Sequence, residues 1–314
     1  MSVSGDQGWT ARALAAHPGW QIEAPAGIDR DLASLARWAQ GAGDPIADLQ
    51  RGTLDLPAIR TLADAVAAEL QDGSGLVRVQ GISEADPLLL RLVFVAVGLE
   101  LGTPVGAYGR LYDVVDSGRS YRTEAIPVSQ TNESTGTHTD SSNKGLCPDV
   151  IGLLCVRPAR EGGASRVTSA LRARAVLAAE APELLALLHQ PFIRDLVTPG
   201  SVRTPETVRD NAFPIFGRPP APTFRYMRFW IERGHEVAGV PLTDAQRRAL
   251  DLLDATLEHP DHVHRFRMET GEMLFCDNTR VAHDRDAYRT DPDQPRWLCR
   301  LWLATDGSPA RASG

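Results

Sequence analysis

The chain has 314 residues, of which 43% are apolar, and its formal net charge is −7. A chain of this length can bury a large core, which excludes a disordered tail protein and a small disulfide-stapled scaffold. Acidic residues outnumber lysines and arginines by 40 to 33, which argues against a nucleic-acid-binding protein.

The first third of the chain, up to about residue 110, is predicted to be largely helical. Apolar residues at helical spacing predict a helix over 56–70, and a short strand follows at 75–79. Ser83, with Asp86 three residues later, predicts the start of a second helix. That helix is expected to run to about Leu101 and to end before Gly102.

Short strands dominate from residue 150 onward. Alternating or apolar runs predict strands at 150–156, 166–168, 224–229, 263–268, 272–276, 281–285 and 297–303, with helices at 171–188 and after Thr243. This order indicates a mainly β protein with α additions, in which a double-stranded β-helix (jelly-roll) core is flanked by helices. We expect one domain over residues 1–305 and a flexible tail at 306–314.

Cysteine spacing and apolar content give expectations about compartment. The four cysteines form no C-x-x-C pair, so neither a zinc knuckle nor a disulfide framework is indicated: Cys147, Cys155, Cys276 and Cys299. The first residues lack the features of a secretory signal, and no apolar run approaches the roughly 18 residues of a membrane span. A cytoplasmic protein without a membrane partner is expected.

A candidate metal site begins at His138-Thr-Asp140. Residues i and i+2 of an extended chain project to the same side, so both side chains can bind one ion. His283, near the start of a late predicted strand, can supply a third ligand. Two imidazoles and one carboxylate form the facial triad of non-haem Fe(II) oxygenases, which leaves three coordination positions open.

A second histidine cluster offers a competing metal site. His259, His262 and His264 lie close together in sequence, and the last two share a strand face, as in the His-x-His motif of cupins. No carboxylate or distant histidine accompanies them in matching context. A polar turn that enters a strand is the alternative interpretation.

Two arginines follow His283 at strand spacing. Arg296 and Arg300 lie on one face of a predicted strand, 13 and 17 residues after that histidine. An inward-facing guanidinium is costly unless a carboxylate or phosphate pairs with it. A solvent-facing pair on an edge strand is equally compatible with the spacing.

Together these segments resemble the taurine dioxygenase-like (TauD/TfdA) family of Fe(II)/2-oxoglutarate-dependent oxygenases, within the clavaminate synthase-like superfamily. Four segments between Thr137 and Trp302 match the family in order and spacing: His138-Thr-Asp140, Arg160-Glu-Gly-Gly-Ala-Ser165, Gly271-Glu-Met-Leu-Phe-Cys-Asp-Asn278 leading to His283, and Arg296 to Arg300. They span roughly half of the chain.

The resemblance implies a role for each matching residue. Fe(II) would be bound by His138, Asp140 and His283. Arg300 would pair with the distal carboxylate of 2-oxoglutarate, helped by the hydroxyl of Ser165, which stands where the family has threonine. Arg296 matches a position near the cosubstrate or the substrate anion. The presence of Asp140 disfavours halogenation, because halogenating relatives lack this carboxylate.

Residues that would recognise the substrate are less clearly marked. Arg228 lies beside aromatic residues in a predicted strand and is a candidate for a substrate carboxylate. Lys144, in the loop after Asp140, and Asn132, before the metal motif, are further candidates. The loop after Asp140 is expected to act as a lid that orders when substrate binds.

The resemblance implies a dioxygenase that uses Fe(II), 2-oxoglutarate and O2 to hydroxylate an aliphatic carbon of a small polar substrate. An amino acid or an amino-acid-derived specialised metabolite, free or tethered to a carrier protein, is expected. The sequence does not separate hydroxylation from desaturation, epoxidation or cyclisation at the same site, nor does it give the oligomeric state. A non-catalytic, cupin-like metal-binding or ligand-binding protein is the alternative from another class.

Overall fold

A computed structural model describes residues 3, 7–124, 126–198, 200–218 and 223–305, so the predicted tail at 306–314 lies outside the described residues. The helices are α1 (Ala11–Ala15), α2 (Ile28–Ala39), α3 (Pro45–Asp48), α4 (Pro57–Asp72), α5 (Pro87–Leu101), α6 (Ala170–Glu180), α7 (Pro182–Leu188), α8 (Pro205–Asp210), α9 (Arg228–Val237) and α10 (Asp244–Leu257). The strands are β1 (Gln21–Glu23), β2 (Leu76–Gln80), β3 (Thr103–Pro104), β4 (Tyr112–Val114), β5 (Val150–Arg157), β6 (Ser165–Ser169), β7 (Pro191–Ile193), β8 (Ala212–Pro214), β9 (His264–Phe266), β10 (Met273–Asp277), β11 (Val281–Arg285) and β12 (Trp297–Ala304).

Two sheets enclose the interior of the domain. The larger sheet has the order β1-β2-β10-β5-β12-β3, with β4 also paired to β12, and the smaller has the order β11-β6-β9. Leu274 and Trp302 of the larger sheet lie in one buried cluster with Val167 and Val281 of the smaller. This arrangement confirms the predicted double-stranded β-helix. A separate hairpin pairs β7 with β8.

Strand alternation sorts the side chains of β12 between the two faces of the larger sheet. Cys299, Leu301 and Leu303 pack against the helical layer on the outside. Arg300 and Trp302 therefore face the interior, because successive strand residues point to opposite faces. The same alternation on neighbouring strands makes the larger sheet apolar on both sides.

The N-terminal helices cover the outer face of the larger sheet. Apolar side chains of α2, α4 and α5 form one cluster with those of β2, β5, β10 and β12. Gly98 of α5 allows close contact, since a Cβ there would overlap the side chain of Leu301. Helices account for about 37% of the residues and strands for about 20%, so the flanking helical layer exceeds the β core in residue number. No helix among the described residues is long and apolar enough to cross a membrane.

Most predicted elements are present, and three differ in detail. The helix predicted at 171–188 is two helices, α6 and α7, which meet at Pro182. Helix α5 was predicted to start at Ser83, but its N-cap is Asp86, whose carboxylate accepts from the backbone N–H of Leu88. The strand predicted at 224–229 is replaced by an isolated bridge at Phe224 and by the start of α9.

Candidate active site

Backbone pairing holds two of the predicted metal ligands opposite each other. The N–H of His138 donates to the carbonyl of His283 at 2.9 Å, and the N–H of His283 donates back at 2.8 Å. This isolated antiparallel bridge attaches the segment of His138 to β11. Asp140, two residues later, is thereby brought to the same place.

The three side chains converge at the interior end of this bridge. Asp140 Oδ1 lies 3.6 Å from His138 Nε2 and 3.5 Å from His283 Nε2. One ligand atom from each residue falls within 4.8 Å of the others, a spacing that can hold a metal ion. His138 Nδ1 lies 2.7 Å from the carbonyl of Gly136. A proton on Nδ1 donates there and leaves Nε2 free to bind a metal.

The carboxylate of Asp140 has different partners on its two oxygens. Oδ2 accepts from the indole Nε1 of Trp302 at 2.6 Å and forms an ion pair with Nη1 of Arg300 at 3.1 Å, while Oδ1 faces the imidazoles. Burial raises the pKa of Asp140, but the charge of Arg300 and hydrogen bonds with both histidines outweigh burial and hold this pKa well below its usual value. Burial and the neighbouring His138 lower the pKa of His283. The site therefore holds an ionised carboxylate beside a neutral imidazole, as metal binding requires.

Asn278, which is fully buried, fixes the backbone of Asp140. Its Oδ1 accepts from the N–H of Asp140 at 2.8 Å, and its Nδ2 donates to the carbonyls of Asp140 (3.1 Å) and Pro148 (3.0 Å). Asn278 follows β10 directly, so this side chain joins the metal-site segment to the larger sheet.

Asn278→Ala is expected to lower the free energy of unfolding by about 2–4 kcal/mol, because it leaves a buried N–H and buried carbonyls unpaired. Urea unfolding of the metal-free protein measures this change. Asn132→Ala is the control, since its Nδ2 makes one long contact of 3.3 Å with Thr290, and a loss below about 1 kcal/mol is expected. Equal losses in the two variants would contradict a special role for Asn278.

The loop after Asp140 is already tied down, contrary to the expectation of a lid that orders with substrate. The buried guanidinium of Arg225 donates to loop carbonyls, among them those of Asn143 (2.6 Å) and Leu146 (2.9 Å). Asn211 accepts from the N–H of Lys144 at 2.7 Å and donates to the carbonyl of Ser142 at 2.8 Å. The loop thus forms a hydrogen-bonded wall of the outer side of the site.

A cavity on one side of the triad, termed here the inner chamber, is rich in arginine. Its walls include Ser165, Arg166, Arg285, Arg296, Leu298 and Arg300. Arg166 pairs with Asp284 at 2.7 Å and Arg300 with Asp140.

Arg296 is 6% exposed, has no carboxylate partner among the described residues, and its Nη1 lacks any hydrogen bond. Burial, together with the charge of Arg285, lowers the pKa of Arg296 to about 10, so it is still charged at neutral pH. The chamber therefore has an unsatisfied cation suited to an anion.

A second cavity, termed the outer pocket, lies on the other side of the triad. Its walls include Tyr108, Ser129, Ser142, Thr198, Met227 and Trp230. The buried hydroxyls of Ser129 and Ser142 have no partner within the described residues. Asp140 and Arg300 border both cavities, so the triad lies between the two.

The structure brings together the predicted triad, Ser165, Arg296 and Arg300, but it places the predicted substrate residues elsewhere. Arg228 begins α9, and its guanidinium pairs with Glu232, Asp251 and Asp254 at 2.6–3.1 Å. This pairing corrects the expectation that Arg228 binds a substrate carboxylate. Lys144 is exposed, and neither it nor Asn132 borders either cavity.

The competing histidine cluster has structural contacts instead. His262 is buried with Nδ1 2.7 Å from the carbonyl of Thr256, and the ring of His264 lies edge-on to Trp20. Over the residues that the structure covers, the triad is the one group of three or more potential ligands with metal spacing.

Sequence reasoning missed three residues of the site: Asn278, Arg285 and Trp302. Asn278 and Trp302 lie within or beside the matched segments, but their shared partner, Asp140, is 138 and 162 residues away in the chain. The alternation of β12 was an available signal, since it places Trp302 on the face of Arg300.

Comparisons with known proteins agree with this geometry. The profile of the family described as "Taurine catabolism dioxygenase TauD, TfdA family" matches residues 42–302. The FR-33289 synthase of Streptomyces rubellomurinus (strain ATCC 31215) is 26% identical over 311 residues, which cover 96% of this chain and 90% of the synthase. A uridine-5'-phosphate dioxygenase of a Streptomyces species is 31% identical over 182 residues, 55% of this chain and 63% of that protein.

Solved structures share the fold. Asparagine oxygenase with Fe(II), 3-hydroxyasparagine and succinate has a TM-score of 0.69 at 18% identity, over 91% of this chain and 94% of that one. The non-haem iron oxygenase OrfP with iron and alpha-ketoglutaric acid has a TM-score of 0.66 at 18% identity, with the same coverage.

Proposed function

The chain belongs to the TauD/TfdA family of dioxygenases, and on this premise we propose that it uses Fe(II), 2-oxoglutarate and O2 to hydroxylate an aliphatic carbon of a small polar substrate. The observation that carries the proposal is the triad itself. Two imidazole nitrogens and one carboxylate oxygen converge between an arginine-rich chamber and a polar pocket.

The donor set fits ferrous iron. Nitrogen and carboxylate ligands suit this ion, and a triad leaves three positions for a chelating keto acid and dioxygen. We propose that the iron is held by His138, Asp140 and His283. Bound there, iron supplies oxygen activation coupled to the decarboxylation of 2-oxoglutarate to succinate and carbon dioxide.

The inner chamber fits the dicarboxylate cosubstrate. We propose that Arg296, rather than Arg300, pairs with the distal carboxylate of 2-oxoglutarate, with Ser165 as a second donor. Support comes from the unpaired Nη1 of Arg296, whereas Arg300 already pairs with Asp140. A buried guanidinium without an anion gains most from a carboxylate.

The outer pocket is the proposed substrate site. Hydroxyls of Ser129 and Ser142 can hydrogen-bond a polar group, while Tyr108 and Trp230 provide apolar walls that exclude water. An amino acid or a metabolite derived from one is the class we propose. The names and bound molecules of similar proteins support a small polar substrate. They are an asparagine oxygenase with 3-hydroxyasparagine, OrfP with 3-hydroxyarginine and a uridine-5'-phosphate dioxygenase.

We also propose that the protein acts in the cytoplasm and that its substrate is either free or tethered to a carrier protein. A cytoplasmic location is supported by the four free cysteines, since thiols stay reduced in that compartment. Free and carrier-tethered substrates are distinguished by comparing succinate release with the same molecule presented in each form.

Anaerobic titration of the metal-stripped protein tests the proposal without knowledge of the substrate. Fe(II) is added first and 2-oxoglutarate second, and the weak visible absorption of a keto acid that chelates ferrous iron is recorded. Its appearance supports the assigned cofactor and cosubstrate, and a screen by succinate release then follows. Iron binding without this absorption would contradict the cosubstrate assignment and favour a cupin-like binding protein.

A further inference from the structure

The indole of Trp302 makes the shortest contact to the proposed iron carboxylate. Nε1 of Trp302 lies 2.6 Å from Oδ2 of Asp140, and Arg300 Nη1 follows at 3.1 Å. Oδ1 of the same carboxylate faces both imidazoles. The two oxygens of Asp140 are therefore divided between a metal-facing role and a role as hydrogen-bond acceptor.

We infer that Trp302 is a positioning residue, whose N–H restricts Asp140 to binding iron through Oδ1. This inference rests on the proposed function. A carboxylate that bound through both oxygens would occupy a fourth position of an octahedral ion and leave two open. A chelating keto acid and dioxygen together need three, so the orientation of Asp140 decides whether both can bind.

An indole is suited to this role because it is a neutral donor. Trp Nε1–H can donate but cannot accept a proton or bind a metal. Arg300 places a full positive charge beside the cation site, and it also borders both cavities, where anions can compete for it. Trp302 adds no charge beside the cation site, and it borders the outer pocket but not the inner chamber.

The ring of Trp302 is itself firmly held. Trp302 is buried within β12, opposite Ile151 of β5, and its carbonyl accepts from the N–H of Val105 at 2.8 Å. Tyr108 packs edge-on against the indole, with ring centroids 5.1 Å apart. A donor fixed by packing transmits its position to the ligand that it contacts.

The chain contains a matched control on the same strand. Trp297 also donates its indole N–H to a carboxylate, that of Asp113 at 2.8 Å. An arginine guanidinium lies over each indole, Arg300 over Trp302 and Arg91 over Trp297. Neither Trp297 nor Asp113 borders the inner chamber or the outer pocket. Trp297→Phe thus removes the same chemistry away from the metal site.

The test measures the Fe(II) affinity of the metal-stripped full chain under anaerobic conditions, by competition with a chromophoric chelator. Trp302→Phe is expected to weaken Fe(II) binding about 10–100-fold, the usual effect of losing an outer-shell partner, and Trp297→Phe less than about 2-fold. A second variant places benzothienylalanine at position 302, where sulfur replaces the N–H and the shape of the ring is kept. The same loss is expected there.

Urea unfolding of the metal-free variants separates positioning from stability. Wild-type Fe(II) affinity in either position-302 variant would overturn the inference. If only Trp302→Phe loses affinity and the benzothienylalanine variant does not, ring packing rather than the N–H is the cause. Failure of the wild-type chain to bind Fe(II) would instead contradict the proposed function.

Discussion

His138→Ala is expected to abolish Fe(II)-dependent turnover of 2-oxoglutarate. The change removes one of the three converging ligands, and the two that remain, Asp140 and His283, cannot complete a facial triad. Fe(II) affinity should fall by more than the roughly 10–100-fold that loss of an outer-shell partner costs. Chelator competition and succinate release measure the two effects.

His262→Ala is the control for this experiment. His262 is buried like His138 but contacts the carbonyl of Thr256, and it belongs to the histidine cluster that competed as a metal site. Unchanged Fe(II) binding is expected in this variant. Loss of Fe(II) binding in His262→Ala, or wild-type Fe(II) binding in His138→Ala, would contradict the assignment of the metal site to the triad and favour the other histidine cluster.

The fold was predictable where local patterns agreed with tertiary packing. The runs at 281–285 and 297–303 form β11 and β12. Both faces of β12 are buried, one against the helical layer and one against the interior. The run at 224–229 has strand-like composition, but its backbone has other partners. The N–H groups of Arg225 and Tyr226 donate to the carbonyl of Ile215 and to Thr139 Oγ1, so no sheet forms.

The candidate site was predictable where its residues are close in sequence. The i, i+2 spacing of His138 and Asp140 and the shared strand face of Arg296 and Arg300 are local signals. Of the three partners of Arg228, Glu232 is local, but Asp251 and Asp254 lie on another helix. Acidic residues that neutralise an arginine across a helix pair leave no local trace. The indole beside Asp140 does have one, because strand alternation places Trp302 on the face of Arg300.

Arg296→Ala is expected to weaken 2-oxoglutarate binding roughly 30–150-fold, because a charge-assisted pair in a buried site contributes about 2–3 kcal/mol. The guanidinium has no competing carboxylate partner among the described residues, so the alanine variant loses an interaction made with the cosubstrate alone. Fe(II) affinity should stay near that of the wild type, since Arg296 contacts none of the three proposed ligands. An anaerobic 2-oxoglutarate titration of the Fe(II)-loaded variant measures the change.

Two further arginine variants make this result specific. Arg265→Ala removes a largely exposed guanidinium that pairs with Asp286, and it should leave 2-oxoglutarate binding unchanged. Arg300→Ala should change 2-oxoglutarate affinity less than about tenfold, because Asp140 rather than the cosubstrate is its partner. The reverse order, with a large effect at Arg300 and a small one at Arg296, would return the anchor to Arg300. In that case the distal carboxylate of 2-oxoglutarate would have to replace Asp140 as the partner of Arg300. The Trp302 indole would then hold Oδ2 of Asp140 without the help of Arg300.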